Sequence, residues 1–289
     1  MTPSLFAFDV NSHFNRMWSV LTKDGIPNKA SAYHAGEPVF VLKPLLNMVE
    51  KEIAILRSQN IIPSHIVMVF DSPHDNFRHQ LYPDYKANRP EKPEEKKRQE
   101  ELMFHMFKAL GYPCLRIDGV ESDDVIGTLF TKLSAVGMHC YGFTGDKDMM
   151  SLVCPTTFIY SGKLKKLYSE KEVRLKFNLP ASKVIDFLAI QGDSADNLDG
   201  IKGVGEKSAI KILEKYTLEE VLDNPDLVLD LGIRGASGVA KKIKENKENA
   251  LLMKKLVTLK TDVNLGVNLK DLVYKPSDGS LFLNGFLTQ

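Results

Sequence analysis

Thiols, membrane-length apolar runs and surplus charge are all scarce in this chain, and each scarcity removes a class of function. Only three cysteines occur in 289 residues: Cys114, Cys140 and Cys154. They lie far apart, each among apolar neighbours, as buried thiols in a reducing compartment do, and they form no disulfide framework. Neither they nor the histidines show zinc-ligand spacing. No run is apolar enough for long enough to span a membrane. Met1-Thr2-Pro3-Ser4-Leu5 lacks the basic start of a signal peptide. A formal net charge of +1 argues against wholesale attraction to nucleic acid. There is no Pro- or Ser-rich linker, internal repeat or low-complexity tract.

What is present is ordinary globular material. Hydrophobic residues make up 43% and charged residues 26%, enough for an ample core, in one large domain or one with a smaller appendage. Residues 5–10, 66–70, 138–143 and 158–160 read as short buried strands. Between them, Leu42, Leu45, Leu46, Val49, Ile53 and Leu56 recur at helical spacing. Met103, Met106, Phe107 and Leu110 do the same before Gly111, a stripe that reads as core packing. Val125, Ile126, Leu129, Phe130 and Leu133 follow a Ser122-Asp123-Asp124 cap. Alternating strands and helices predict an α/β fold, a mostly parallel central sheet flanked by helices. The strand pattern fades near residue 182. The remainder reads as helices at 206–215, 218–223, 238–244 and 248–259, after one at 184–191. We expect a core over 1–181, a helical region over 182–265 packed on the sheet, and a tail over 266–289. Residues 82–97, with Pro83, Pro90 and Pro93 among mixed charges, predict a long exposed connection.

The acids carry the chemistry. Asp9, Asp71 and the pair Asp146 and Asp148 each follow an apolar run, and Glu121, Asp123 and Asp124 open a helix. Asp193 and Asp196 form a further cluster. One strand-end Asp is ordinarily a turn or cap residue, but this set exceeds what capping needs. Carboxylates at strand ends face the crevice where open α/β sheets bind ligands. Crowded together, some would have to take up protons. A hard divalent cation such as Mg²⁺ or Mn²⁺ removes that conflict, and a phosphodiester is the natural substrate. Glu121 precedes the first helical turn, and Asp124 projects about 100° around the axis from Asp123.

The bases are segregated from these acids. Gly200-Ile201-Lys202-Gly203-Val204-Gly205 leads into Glu206, Lys207 and Ser208. Lys207, Lys211 and Lys215 then follow on one helix face. The backbone N–H groups of such a turn and helix start can bind a phosphate. It is not a Walker loop, since the Gly-Lys-Ser/Thr ending is absent. We read it as a helical hairpin gripping a nucleic-acid backbone without reading bases. Arg234, Lys241 and Lys242 extend the basic surface.

In combination these motifs resemble the 5′ nuclease, or flap endonuclease, family, including the 5′–3′ exonuclease domain of bacterial DNA polymerase I and free-standing phage 5′ exonucleases. The match runs through Phe77-Arg78, Tyr85-Lys86-Ala87-Asn88-Arg89-Pro90, 119–127, 144–149, 192–209, Arg234-Gly235-Ala236 and Leu259-Lys260-Thr261-Asp262. It covers nearly all of residues 1–265. One departure is Asp9-Val10, where the family has Asp-Gly. The resemblance implies a PIN-like nuclease core. It puts Asp9, Asp71, Glu121, Asp123 and Asp124 at a first metal site and Asp146, Asp148, Asp193 and Asp196 at a second. Arg78, Lys86 and Arg89 would then belong to a helical arch at about 78–97, acting at the scissile phosphate with Tyr85 beside them. Lys202, Gly203, Gly205, Lys207, Ser208, Lys211 and Lys215 fall in a helix-three-turn-helix motif on duplex DNA, with a K⁺ ion held by backbone carbonyls.

The expected function is metal-dependent 5′–3′ exonuclease and 5′-flap endonuclease action on DNA with flaps, nicks or 5′ ends. The expected protein is a monomer in a bacterial or phage-infected cytoplasm, with no membrane partner. No polymerase segment follows, so a stand-alone nuclease is expected. An acidic-site ribonuclease of related fold, acting on RNA or RNA–DNA hybrids, is the alternative. It would not need the 200–215 hairpin. A phosphatase with an Asp nucleophile would want a second Asp where Asn11 stands, and a purely DNA-binding protein would need no acid cluster. Leu281, Phe282, Leu283 and Phe286 are expected to dock on the protein itself, since no clamp-binding motif is found.

Overall fold

Alternate residues of strand β1 (Ser4–Asp9) face opposite ways, and both faces are apolar. Leu5 and Ala7 join one core cluster, while Phe6 and Phe8 join another. A strand buried on both faces belongs in the middle of a parallel sheet, and β1 lies there. A computed structural model describes residues 3–23, 26–27, 33–34, 37–273 and 275. Its main sheet contains β1, β2 (His65–Phe70), β3 (Cys114–Arg116), β4 (His139–Phe143), β5 (Thr157–Ser161) and β6 (Lys166–Tyr168), in the order β6-β5-β4-β1-β2-β3. Phe8 is in parallel register with Met68 on one side and Phe143 on the other. Only β6 runs antiparallel, against β5.

Helices α1 (Val10–Leu21), α2 (Leu42–Ser58), α3 (Phe77–Leu81), α4 (Glu94–Ala109), α5 (Ser122–Ser134) and α6 (Glu170–Phe177) accompany the sheet. The C-terminal part holds α7 (Val184–Gln191), α8 (Glu206–Leu213), α9 (Leu218–Asp223), α10 (Ala236–Glu245) and α11 (Lys247–Val257). The mostly parallel sheet with a helical C-terminal region agrees with the sequence reading. Strands β3 and β6 and helices α1, α3 and α6 were not anticipated. The chain runs from β1 outward to β2 and β3, then crosses to β4 on the other side of β1. That reversal opens a crevice at the carboxyl ends of β1 and β4, where ligands bind in such sheets.

One apolar cluster continues from Leu5, Val67 and Ile126 through Ile190 and Ile212 to Met253 and Leu256, so sheet and helical region share a core. A polar clamp reinforces the join. Arg78 is 2% exposed and Asp124 0%. The Arg78 guanidinium donates to Asp124 at 2.7 and 2.8 Å, to the Leu256 carbonyl at 2.7 Å and to the Thr258 carbonyl at 3.2 Å. Asp124 also accepts from the Lys260 amide at 2.8 Å. Cys114, Cys140 and Cys154 are free thiols. No helix among the described residues is long and apolar enough to cross a membrane. The tail residues Leu281, Phe282, Leu283 and Phe286 lie outside the described residues.

Candidate active site

Asp9 ends β1 and caps α1, so its position is set by the strand and its carboxylate by the helix start. That carboxylate accepts from the Ser12 amide at 3.0 Å and from Thr144 Oγ1 at 2.8 Å. Asp71 follows β2, and its backbone amide donates to Asn11 Oδ1 at 3.0 Å. Ser122, the first residue of α5, joins the two acids. Its amide donates to Asp71 at 2.9 Å, and its hydroxyl lies 2.8 Å from Asp71 Oδ1 and 3.2 Å from Asp9 Oδ1. After β4, Asp146 accepts from the Asp148 amide at 3.0 Å. Across the crevice, Asp193 accepts from the Ala195 amide at 3.0 Å and pairs with Lys147 at 3.2 Å. Two oxygens, Asp123 Oδ1 and Asp148 Oδ1, are buried with no hydrogen-bond partner.

The electrostatics follow from this crowding. Burial, then the Asp71 charge, pushes Asp9 up to about 6. Burial and the charges of Asp9, Asp146, Asp71 and Glu121 hold Asp123 well above the carboxylate range. Asp148 is raised likewise by burial and by Asp146, Asp193 and Asp196. Asp146 is raised too, by burial and by Asp196 and Asp193, against the hydrogen bond from the Asp148 amide. Glu121 is the exception. Burial would raise it, but Lys86 and Arg78 outweigh that and hold it low.

The connection over 82–97 is exposed along most of its length, as expected, but Tyr85, Lys86 and Arg89 within it fold onto the acids. Lys86 sits on Glu121 and lies 3.8 Å from Asp196, while Arg89 pairs with Asp196 at 2.5 Å. The Tyr85 hydroxyl donates to Asp196 at 3.0 Å and lies 3.2 Å from Glu121. Backbone contacts fix the same fold: the Lys86 amide donates to the Asp196 carbonyl at 3.0 Å. Asn88 donates to the Ser194 carbonyl at 2.7 Å, and Asn197 to the Asp84 carbonyl at 2.8 Å. The partners lie far apart in sequence, so no local pattern announced them.

Two expectations need correction. Asp124 does not face the crevice with its neighbours. The rotation around the helix that separates it from Asp123 turns it into the core, where Arg78 and the Lys260 amide occupy its oxygens. Arg78 is correspondingly buried: it binds Asp124 and the Leu256 and Thr258 carbonyls and also donates to Glu121 at 2.9 Å, so it reaches the acids from within the core and not from an arch above them. The reading also passed over Asn11, Ser12, Thr144 and Lys147, which hold the carboxylates in place; Ser122 had been read only as a helix cap. The signal available was that each lies within three residues of an acid. Among the described residues no three His, Cys, Asp or Glu side chains converge tightly enough to hold one ion as placed.

Beside the acids a cavity of about 690 Å³ carries Arg16, Arg89, Lys147 and Lys176 on its walls with Asp146 and Asp193. On the basic side, Lys202, Lys207, Lys211 and Lys215 are all exposed, as are Arg234, Lys241 and Lys242. Helix α8 ends at Leu213, so Lys215 lies beyond it and not on its face. Lys211 donates to the Gly232 carbonyl at 2.8 Å. A Cβ on Gly203 would collide with the Lys242 side chain, which therefore lies across the 200–205 turn. Ser208 is half-buried and Gly205 caps α8.

Comparison with known proteins gives a consistent picture. Residues 4–178 match the family model for the 5′–3′ exonuclease N-terminal resolvase-like domain, and residues 179–280 the model for the 5′–3′ exonuclease C-terminal SAM fold. The chain is 38% identical over 259 residues to DNA polymerase I of Pseudomonas aeruginosa, covering 86% of this chain but 28% of that protein. It is 34% identical over 211 residues to the 5′–3′ exonuclease of Buchnera aphidicola subsp. Acyrthosiphon pisum, covering 73% of this chain and 74% of the relative. In fold it is similar to the T5 D15 protein co-crystallised with metal ions, with a TM-score of 0.70 at 19% identity, covering 89% of this chain and 90% of that one. It is similar also to the catalytic core of Rad2 in complex with DNA substrate, with a TM-score of 0.60 at 14% identity, covering 100% and 89%. On the tandem match of both family models and the Buchnera relative, this chain belongs to the 5′–3′ exonuclease family.

Proposed function

We propose that the chain is a divalent-metal-dependent, structure-specific nuclease acting at 5′ ends and 5′ flaps of DNA. The observation that carries this reading is the pair of buried, partnerless oxygens on Asp123 and Asp148, set among carboxylates already raised by mutual repulsion. An all-oxygen donor set of that charge fits Mg²⁺ or Mn²⁺. Asp9, Asp71, Asp123 and Glu121 would hold one ion, and Asp146, Asp148, Asp193 and Asp196 another. When bound, such ions activate water and offset charge developing on a scissile phosphate.

The chain's own side chains do the rest. Lys86 stands between Glu121 and Asp196, so its ammonium meets a phosphate approaching this crevice and offsets repulsion from the acids. Arg89 and Tyr85 flank it. The turn at 200–205 with Lys202, Lys207, Lys211, Lys215 and Lys242 would hold duplex phosphates without reading bases, with Arg234 and Lys241 nearby. A K⁺ ion on the backbone carbonyls of that turn belongs to the same proposal. So do monomeric action and a reducing cytoplasmic setting.

The test is cleavage of 5′-labelled flap, nicked and linear DNA with and without Mg²⁺. Metal-dependent release of short 5′ products from the flap and the nick is expected. Cleavage that persists in a chelator would overturn the reading. Matched RNA flaps and RNA–DNA hybrids distinguish the ribonuclease alternative, which requires them to be cut faster than DNA.

A further inference from the structure

We propose that His13 and Glu52 are positioning residues for Asp9, a hydrogen-bonded pair that fixes the direction of its carboxylate from the far side of the sheet. This rests on the reading of Asp9 as a metal-holding residue. Both side chains are buried, each 4% exposed. His13 Nδ1 lies 2.8 Å from the Asp9 carbonyl oxygen, and His13 Nε2 lies 2.7 Å from Glu52 Oε2. Both ring nitrogens thus face oxygen acceptors. Asp9 is gripped at two ends: Ser12, Ser122 and Thr144 hold its carboxylate, and His13 holds its carbonyl. Asp9 is also where strand becomes helix, with φ −74° and ψ 93°. A turn about that backbone swings the carboxylate directly.

The origin of Glu52 matters as much as its contact. It projects from α2, whose Leu45, Leu46 and Val49 pack in the same core as Phe6 and Phe8 of β1. The pair therefore ties the end of β1 to a second rigid element. The surroundings are shaped to admit it. A Cβ on Gly162 would collide with Glu52 Oε1 and with Arg16 Nη1, so the chain after β5 leaves room for this carboxylate. A buried ion pair is weak support for stability, because apolar residues of similar volume do as well or better. Directional hold on Asp9 is what apolar packing could not supply.

The experiment titrates Mn²⁺ alone, by calorimetry, against the full chain and its variants in the absence of DNA. Outer partners of metal-holding groups are worth about 10–100-fold in affinity, so Glu52→Ala should weaken Mn²⁺ binding by about that factor. Glu52→Gln still accepts the His13 hydrogen bond and should stay within about threefold of the parent protein. Flap-DNA affinity measured in EDTA should not move, and single-turnover cleavage by Glu52→Ala should recover as Mn²⁺ is raised. Should Glu52→Ala not fold, His13→Gln, whose side chain cannot bridge the two partners, takes its place with the same expectations. Parent-like Mn²⁺ affinity in a Glu52→Ala protein that merely melts earlier would overturn the proposal, as would a Glu52→Gln variant as impaired as Glu52→Ala. Asp9→Asn is the reference. If it loses Mn²⁺ while Glu52→Ala does not, only the positioning role falls. If it binds Mn²⁺ like the parent, the reading of the acid site falls with it.

Discussion

Asp123 and Asp124 are adjacent on the first turn of α5, yet they do different work. Asp123 Oδ1 is buried without a partner among raised carboxylates, whereas Asp124 is fully buried against Arg78. Asp123→Ala should lower single-turnover cleavage by at least about 10²–10³-fold, the scale of losing one electrostatic group aimed at the reacting centre. Flap binding in Ca²⁺ should persist, because the site becomes less repulsive to phosphate. Asp124→Ala should instead cost about 3–5 kcal/mol of stability by stranding a buried guanidinium, read by urea denaturation. An Asp123 variant that cleaves normally, or an Asp124 variant of parental stability, would contradict this division. Lys86 has positive φ, 58°, a conformation that a non-glycine residue holds only when its surroundings fix it. Here the Lys86 amide bonds to Asp196 and its ammonium sits on Glu121. Lys86→Ala should reduce the single-turnover rate by about 10²–10³-fold with little change in duplex affinity. Normal turnover at saturation with weakened binding would mean that Lys86 only guides the strand.

Among the elements, those with strong periodicity were legible and the short or polar ones were not. The α2 stripe of Leu42, Leu45, Leu46 and Val49 appears where its spacing indicates. Helix α1 carries Val10, Phe14 and Trp18 at four-residue intervals, but they follow directly on an apolar strand that masks the change of period. Helix α6 buries only Val173 and Phe177, too little to stand out. Strands β3 and β6 have three residues each and gain their identity from the sheet edges they join. The α3–α5–α11 clamp is a property of elements meeting. Arg78→Lys cannot reproduce the forked geometry, so it should destabilise nearly as much as Arg78→Ala. Because Arg78 also donates to Glu121 at 2.9 Å, both variants should weaken Mn²⁺ binding as well as stability. Parental Mn²⁺ affinity in either variant would confine Arg78 to the clamp.

For the whole molecule, the concentration of acids in one crevice links stability, pH and metal. Asp9 is raised from 3.8 to about 6, so its ionised form destabilises the folded state. That cost is absent below about pH 4, grows as pH rises to about 6 and is fully present above, on the order of 3 kcal/mol. Divalent metal should offset it. Mg²⁺ should therefore raise the melting temperature by several degrees at pH 7.5, as a ligand at about 100 Kd does, and by much less at pH 5. Equal shifts at both pH values would refute this linkage. The turn at 200–205 and the lysines after it should behave as a phosphate binder. Replacing Lys202 and Lys207 with Ala should flatten the slope of log K against log salt by roughly 1.8 for duplex DNA, and an unchanged slope would place the duplex elsewhere. The sequence by itself determined the alternation of buried strands and helices and the strand-end positions of Asp9, Asp71 and Asp146, because period and adjacency are local properties of the chain. Only the tertiary structure decided that Asp124 turns inward to Arg78, that Tyr85, Lys86 and Arg89 fold onto Glu121 and Asp196, and that Glu52 reaches Asp9 through His13. Those contacts join residues far apart in the chain, and which group meets which is set by the packing of whole elements, which no local pattern encodes.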